Sequence, residues 1–275
     1  MAPQPGCVLP LPCGMNLSLH NKRALVCGST QGIGKACALE LAELGASVTL
    51  LARNEDQLRS VREQLSRRDG QTHDYLVADF SQPASLRDAL QRMDLRAHCH
   101  ILINNTGGPK GGPIVDAQLD EFRAAFEMHL ICNHMLAQTL VPHMKRERYG
   151  RIINIISTSV KAPLENLGVS NTVRAAVANW AKTLAGELGP HGITVNNVLP
   201  GFTDTQRLAS LFSARAEKSG KSVDDVTKAA VATIPAGRLG DAHEIAAAVA
   251  FLATPAAAYI NGINLPVDGG RTQSL

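Results

Sequence analysis

The sequence lacks a marked excess of charge of either sign and any long apolar run. It has 27 Lys and Arg against 24 Asp and Glu, a formal net charge of +3, with no long basic run. Proteins that bind nucleic acid usually concentrate basic residues in a patch or stripe, so this composition argues against such a partner. No apolar stretch reaches the roughly 20 residues that span a bilayer, so we expect no membrane-spanning helix.

Cysteines are few and show no metal-ligand spacing: six occur, at positions 7, 13, 27, 37, 99 and 132. We expect no metal, free thiols, a reducing compartment and a cytoplasmic location. Prolines at positions 3, 5, 10 and 12 would break the apolar core of a signal peptide. We therefore expect residues 1–17 to form a flexible arm in front of one domain that covers residues 18–275.

Short apolar segments alternate with amphipathic helical patterns from residue 22 onward. The predicted strands are 23–28, 47–52, 75–79, 100–105, 151–156, 193–198 and 263–267, and the predicted helices are 32–44, 54–68, 83–93, 118–147, 168–188 and 241–253. Strands that are apolar throughout are typical of a parallel sheet covered by helices on both faces. The pattern predicts an α/β fold, a single Rossmann-type domain built on a doubly wound parallel sheet of about seven strands.

Residues 206–234 interrupt this alternation with a long, partly helical insertion after a strand. Its apolar residues are Leu208, Leu211, Phe212, Val226, Val231 and Ile234. Ligands of open α/β sheets bind outside the carboxyl ends of the strands, so we interpret the insertion as a helical lid. Its apolar residues suggest an acyl or otherwise apolar substrate.

A glycine-rich segment, "GSTQGIGK" at 28–35, joins the first strand to the first helix. Gly28 permits a sharp turn, Gly32 lets a phosphate approach the backbone, and Gly34 lets the helix pack closely on the strand. The free N–H groups of the helix N-terminus would then bind a pyrophosphate. The residues of this segment predicted to bind a dinucleotide are Gly28, Ser29, Thr30, Gly32, Ile33 and Gly34.

The end of the second strand, "LLARNEDQL", carries Arg53 where an acidic residue would accept hydrogen bonds from a ribose 2′-hydroxyl. A guanidinium suits a 2′-phosphate instead, so we predict NADP(H), with NAD(H) the less favoured alternative. We interpret Glu55 and Asp56 as first-turn acids of the next helix rather than ribose ligands.

Several motifs in order make the sequence resemble the short-chain dehydrogenase/reductases, close to the 3-oxoacyl-carrier-protein reductases. They are "GSTQGIG", "NNTGG" (104–108), "LPGFTDT" (199–205), "GRLGDAHEIAAAVAFLA" and "INGINLPVDGG". The resemblance covers nearly the whole chain from about residue 18. It implies an adenine contact for Asp79, an adenosine-ribose contact for Asn105 and Gly107, and a nicotinamide contact for Pro200, Gly201 and Thr205. The alternative for Asp79 and Pro200 is a purely structural role in loops.

The sequence differs from the family it resembles at the four catalytic positions, which hold Asn, Ser, Tyr and Lys in that family. "IINIIS" places Ser157 at the serine position, but "SNTVR" places Ser170 at the tyrosine and Arg174 at the lysine. The resemblance implies that Arg174 faces the nicotinamide ribose, where its N–H groups would bind the hydroxyls. His129 stands at the asparagine. A serine hydroxyl is far less acidic than a phenol, and arginine cannot join a proton relay as lysine can, so the proton donor must differ.

Two other residues are candidate proton donors, because no tyrosine of the chain is predicted at this edge of the sheet. His129 has an ordinary pKa near 6.5 and could protonate an alkoxide, although a structural hydrogen bond is an equally open role. Lys161 lies in the loop after Ser157 and could supply a proton or bind a substrate carboxylate or phosphate. The alternative for Lys161 is an ordinary solvated lysine.

The function predicted from these features is NADP(H)-dependent interconversion of a ketone and a secondary alcohol, on a 3-oxoacyl or similar apolar carbonyl substrate. A catalytically inactive NADP(H)-binding sensor or partner-binding subunit is the alternative, and an imine substrate is a third interpretation. The row of alanines beside Arg174, together with the resemblance, predicts a homotetramer with helix 168–188 at an interface. Segment 246–260 is predicted to contribute a second contact.

Overall fold

A computed structural model describes residues 14–92 and 98–274, so the first thirteen residues of the predicted arm lie outside the described part. One sheet contains the strands β1 (Arg23–Cys27), β2 (Ser47–Ala52), β3 (Asp74–Val77), β4 (Ile101–Asn104), β5 (Gly150–Ile155), β6 (Ile193–Pro200) and β7 (Asn264–Val267). Their order is β3-β2-β1-β4-β5-β6-β7 and every neighbouring pair is parallel. The predicted seven-stranded, doubly wound fold is confirmed.

Helices cover both faces of this sheet. They are α1 (Gly32–Glu43), α2 (Glu55–Gln64), α3 (Pro83–Arg92), α4 (Leu119–Phe126), α5 (Cys132–Glu147), α6 (Gly168–Leu188), α7 (Gln206–Ser219), α8 (Val223–Val231) and α9 (Ala242–Ala253). Alternate residues of β1 reach opposite cores: Ala24 and Val26 pack with α1 and α9, whereas Leu25 and Cys27 pack with α5 and α6. Burial on both faces explains why the strands read as unbroken apolar runs.

Two predicted helices differ from the observed ones. The helix expected over 54–68 ends at Gln64, because Leu65 turns into an extended conformation and buries its side chain in the core. The helix expected over 118–147 is interrupted by a π-helical segment, Glu127–Ile131, between α4 and α5. π-Segments inside helices occur often at functional sites, and this one carries His129.

A row of four asparagines crosses the sheet. Each side-chain amide donates to the next carbonyl oxygen: Asn104 to Asn154 at 2.8 Å, Asn154 to Asn197 at 2.9 Å, and Asn197 to Asn264 at 2.8 Å. The four are aligned in register on β4, β5, β6 and β7. The first three are buried, and the row pairs the side-chain oxygens of Asn154, Asn197 and Asn264, whereas the Asn104 side-chain oxygen has no partner among the described residues.

The structure corrects the inference drawn from the alanine row of α6. Ala178, Ala181 and Ala185 are buried inside the single chain, packed against the sheet. Segment 246–260 is buried only in part: six of its apolar residues lie in the core, whereas Ala247, Ala256, Ala258 and Tyr259 are exposed. Because the three alanines are already covered, they do not support an interface between copies, and the contact predicted for segment 246–260 stays a prediction.

The insertion after β6 consists of the helices α7 and α8, as its pattern predicts. Its apolar residues Leu208, Phe212 and Val226 are buried in a small core of their own, together with Ala216 and Ala230. These three side chains pack on each other and so give no support for an apolar substrate, which stays a prediction. Among the described residues, no helix is both long and apolar enough to cross a membrane.

Candidate active site

The glycine-rich turn after β1 is packed so tightly that side chains do not fit. Gly28 has φ +60°, and a Cβ there would lie 2.7 Å from the Asn105 amide nitrogen. A Cβ on Gly34 would collide with the Gly28 carbonyl oxygen and lie 2.6 Å from the same amide. Gly32 also has positive φ, +52°, and faces the Thr205 side chain. These three glycines are required by the turn itself.

The N-terminus of α1 is left uncapped. Gln31 provides no side-chain cap, and the first turn of α1 contains no acidic residue. The first N–H groups of an α-helix have no partner within the helix, and the helix dipole favours an anion there. The turn and helix end therefore fit the pyrophosphate of a dinucleotide, with Gly32, Ile33 and Gly34 supplying backbone donors. Thr30 lies in the same turn.

Two residues predicted to contact the cofactor brace the turn. The Ser29 side chain is buried and its oxygen accepts from the Leu51 N–H at 3.0 Å, which ties the turn to β2. The Asn105 amide donates to the carbonyl oxygens of Cys27 and Gly28, both at 3.3 Å. The Ser29 hydroxyl and the Asn105 amide N–H groups thus hold the turn in shape, and the cofactor contacts predicted for these two residues stay predictions.

Arg53 follows β2 at the same edge of the sheet, beside the glycine turn that follows the neighbouring strand β1. Its side chain is exposed and forms no ion pair or hydrogen bond with any described residue. Glu55, by contrast, accepts from Arg59 at 2.6 Å and from the Tyr75 hydroxyl at 2.9 Å. Because the nearby acid is occupied and the arginine is not, the edge suits a 2′-phosphate better than a bare ribose.

The other residues predicted to bind the cofactor lie along the carboxyl edge. The Asp79 carboxylate accepts from the Ser81 N–H at 2.9 Å, so it stabilises the turn before α3. Gly107 has open space where a Cβ would stand. Pro200 ends β6, and Gly201 fits closely against Asp268. Thr205 caps α7 and packs against Gly32, so the loop after β6 lies over the glycine turn.

Ser157, Ser170 and Arg174 lie around the end of β5. The Ser157 oxygen accepts from the Ser159 N–H at 3.1 Å, which leaves its own O–H free to donate. Arg174 donates from Nη1 to the carbonyl oxygens of Ile155 and Ile156, at 3.2 and 2.9 Å, and from Nε to the Ser170 hydroxyl at 3.3 Å. Ser170 and Arg174 therefore form a pair at the tyrosine and lysine positions.

His129 is buried, and its Nε2 has no hydrogen-bond partner among the described residues. The pKa of its imidazole is lowered to about 3, first by burial and then by the positive charge of Arg174, while a hydrogen bond with the Gly107 backbone acts in the opposite direction. The imidazole is therefore neutral at physiological pH. A neutral imidazole argues against His129 as the proton donor, which stays a hypothesis.

Lys161 follows the short 3-10 helix Thr158–Val160 and is half-buried, with a contact of its own in the structure. The tyrosines lie elsewhere, as predicted: the Tyr149 hydroxyl donates to Ala253 and the Tyr75 hydroxyl to Glu55, while Tyr259 is exposed beyond α9. No tyrosine hydroxyl thus contacts Ser157, Ser170 or Arg174 in the described chain.

Arg207 is a site residue that the sequence pattern did not reveal. It lies in the first turn of α7, and its Nη2 donates to the Pro109 carbonyl oxygen at 2.7 Å. A Cβ placed on Gly108 would lie 3.3 Å from Arg207 Nη2 and 3.6 Å from Arg174 Nη2, so both guanidinium groups approach the same loop. A cation in the first turn of a helix opposes the helix dipole, which is the one local signal that marked this residue.

A dinucleotide cradle after β1 and a serine after β5, on the same edge of the sheet, are the features of a Rossmann-fold oxidoreductase, and comparison with known proteins gives its family. Residues 28–272 match the family described as enoyl-(acyl carrier protein) reductase. The chain belongs to the short-chain dehydrogenase/reductases and is an enzyme of their oxidoreductase class.

Three similar proteins illustrate the relationship. The 3-oxoacyl-[acyl-carrier-protein] reductase FabG of Vibrio cholerae is 35% identical over 92% of this chain and 98% of its own. The NADPH-dependent reductase BacG of Bacillus subtilis is 31% identical over 94% and 100%. The crystal structure of YwfH, an NADPH-dependent reductase involved in bacilysin biosynthesis, is 31% identical, with a TM-score of 0.87 over 93% of this chain and 100% of that chain. The resemblance predicted from the motifs is confirmed.

Proposed function

We propose that the protein is an NADP(H)-dependent reductase that interconverts a carbonyl group and an alcohol of a small molecule. The observation that carries the proposal is the common edge of the sheet at which three features meet. They are the close-packed glycine turn with an uncapped helix, the unoccupied Arg53, and Ser157 with a free hydroxyl hydrogen. NADPH-dependent relatives support the choice of cofactor.

In this proposal the bound cofactor supplies or accepts the hydride, and the chain provides orientation and charge. The Ser157 O–H donates to the carbonyl oxygen of the substrate. The pKa of Arg174 is lowered to about 10 by burial and by Arg207, so its guanidinium stays positive at neutral pH and stabilises negative charge on that oxygen. The proton reaches the oxygen from water through the Ser170 hydroxyl, since neutral His129 is a weak donor and no tyrosine hydroxyl of the described residues contacts Ser157, Ser170 or Arg174.

The test is NADPH consumption against 3-oxoacyl thioesters, cyclic ketones and imines, with enoyl thioesters added because the family description refers to them. Ser157→Ala should reduce turnover at least 100-fold, the scale on which a lost oxyanion donor acts, while the Kd for NADPH changes little. Ser213→Ala, an exposed serine of α7, is the matched control. Retained turnover in Ser157→Ala would remove Ser157 from the mechanism.

The alternative function, an inactive NADP(H)-binding sensor or partner-binding subunit, is favoured only by the missing tyrosine and lysine. It predicts tight NADPH binding without turnover of any compound in the panel. Turnover of imines alone would support the third interpretation.

We also propose that the protein forms a homotetramer, through a surface other than the alanine row. An open groove of about 430 Å³ runs between α4, the π-helical segment and α6. Phe126 and Ile131 line it and are 42% and 38% exposed. A second copy of the chain would cover these apolar side chains.

A cytoplasmic location is part of the same proposal. Its support is that the four described cysteines, Cys27, Cys37, Cys99 and Cys132, are free and buried, as is usual in a reducing compartment.

A further inference from the structure

Two arginines from distant parts of the chain converge beside the loop after β4. Arg174 extends from α6 and Arg207 from the first turn of the lid helix α7. A Cβ placed on Gly108 would contact Nη2 of both guanidinium groups, at 3.6 and 3.3 Å. The two guanidinium groups therefore lie on the same side of this loop.

The hydrogen bonds of both arginines leave donors open. Arg174 uses Nη1 and Nε for backbone carbonyls and Ser170, and its Nη2 forms no bond with any described residue. Arg207 uses one donor for the Pro109 carbonyl oxygen. The guanidinium group has five N–H donors, so several remain for a ligand on each side of Gly108.

No negative charge of the described chain balances this pair. Neither arginine forms an ion pair, and no acidic group affects the pKa of either one. The pKa of Arg207 is lowered by burial, and that of Arg174 by burial and by the charge of Arg207 itself. The neighbouring His129 is neutral. Arg174 is partly buried, and Arg207 is exposed. A partly buried cation usually has an anionic partner, so an unpaired Arg174 with a second cation beside it suits an anionic ligand.

The position of the pair within the sheet favours the substrate as the source of that anion. The uncapped helix α1 that suits the pyrophosphate follows β1, whereas Arg174 is fixed to carbonyls at the end of β5, two strands further along. Strands lie about 4.8 Å apart, which separates the two positions by roughly 10 Å. The carbonyl oxygen of Ile156 accepts a hydrogen bond from Arg174, and Ile156 directly precedes Ser157 in the chain.

We propose that Arg174 and Arg207 together bind a free carboxylate of the substrate, close to the carbonyl group that Ser157 contacts. This inference rests on the proposed function and narrows it to 2-oxo or 3-oxo acids. It gives Arg174 a role in substrate binding in place of the ribose contact that the family resemblance implies. Helix α7 then determines part of the substrate specificity, because it supplies one of the two arginines.

The experiment compares acids with their uncharged esters by calorimetric titration into the protein–NADP⁺ complex. The probes are acetoacetate and phenylpyruvate, each beside its methyl ester. We expect each acid to bind at least about tenfold more tightly than its ester, the effect of a charge-assisted contact worth about 1.4 kcal/mol. Arg207→Met should lower acid binding to the level of the ester and leave ester binding unchanged, whereas Arg207→Lys should restore part of the difference.

The control variant is Arg215→Met, which removes an exposed arginine from the same helix and should leave both affinities unchanged. If Arg207→Met weakens NADPH binding and preserves the preference for acids, the arginines bind the cofactor pyrophosphate and the proposal is wrong. Equal affinity of wild type for acids and esters would also overturn it. Preferential acid binding without reduction of any carbonyl would keep this site and refute the proposed catalytic function.

Discussion

His129 should make the stability of the protein depend on pH in the mildly acidic range. Its imidazole is buried in the neutral form, with a pKa near 3, whereas an unfolded histidine has a pKa of about 6.5. The folded-state pKa is the lower one, so acid favours the unfolded chain. The contribution of neutral His129 is complete above pH 6.5 and is lost as the pH falls from 6.5 towards 3.

The size of this effect follows from the two pKa values. At pH 5 an unfolded histidine is almost fully protonated while His129 in the fold is not, and each pKa unit corresponds to about 1.4 kcal/mol. The free energy of unfolding should therefore fall by about 2 kcal/mol between pH 7.5 and pH 5 because of this residue alone.

Urea unfolding of the cofactor-free protein at pH 7.5, 6.5, 5.5 and 5 measures this change. In His129→Gln the decrease should be smaller than in wild type by about 2 kcal/mol. His20→Gln replaces an exposed histidine and should behave as wild type. Equal decreases in wild type and His129→Gln, or an NMR titration of His129 near pH 6.5, would refute the reasoning and reopen its role as an acid.

Two further predictions test the cofactor and the assembly. Arg53→Asp should abolish the preference for NADPH over NADH, measured as the ratio of Kd values. A carboxylate repels the 2′-phosphate and accepts a hydrogen bond from a 2′-hydroxyl. An unchanged ratio would contradict the assignment of Arg53. Phe126→Asp places a charge in the apolar groove, so it should lower the mass measured by light scattering below that of a tetramer. The circular dichroism spectrum should not change. A wild-type protein that is monomeric at all concentrations would contradict the predicted assembly.

Much of the fold could be predicted because its signals are local. The apolar strands, the glycines of the turn after β1 and the acidic start of α2 each identify an element without knowledge of its neighbours. The end of α2 at Gln64 was missed, because it depends on Leu65 reaching the core rather than on helix-forming preference. The π-helical segment was missed for a related reason, since nothing in "EMHLI" differs from an ordinary helical pattern.

The sequence predicted which residues lie at the site better than it predicted which atoms they contact. Counting from motifs located Ser157, Ser170 and Arg174, which the structure brings together. It could not show that Asn105 holds Gly28 in place or that the apolar side chains of the insertion after β6 pack on one another, because such contacts depend on how the elements dock. Arg207 and Pro109 are 98 residues apart in the chain, and their contact exists only once α7 has folded over the loop after β4.

The row of asparagines has a consequence for how the strands align during folding. Successive side chains of a strand point to opposite faces of the sheet, so a slip by two residues leaves each apolar side chain on its original face. Apolar residues alone therefore distinguish the native register from the slipped one poorly. In this sheet a two-residue slip of β5 would place Ile152 or Ile156 beside Asn104 in place of Asn154. Each unpaired buried amide would cost about 1–3 kcal/mol. The asparagines thus make sheets with a two-residue slip less stable than the native sheet, although apolar packing would be similar in both.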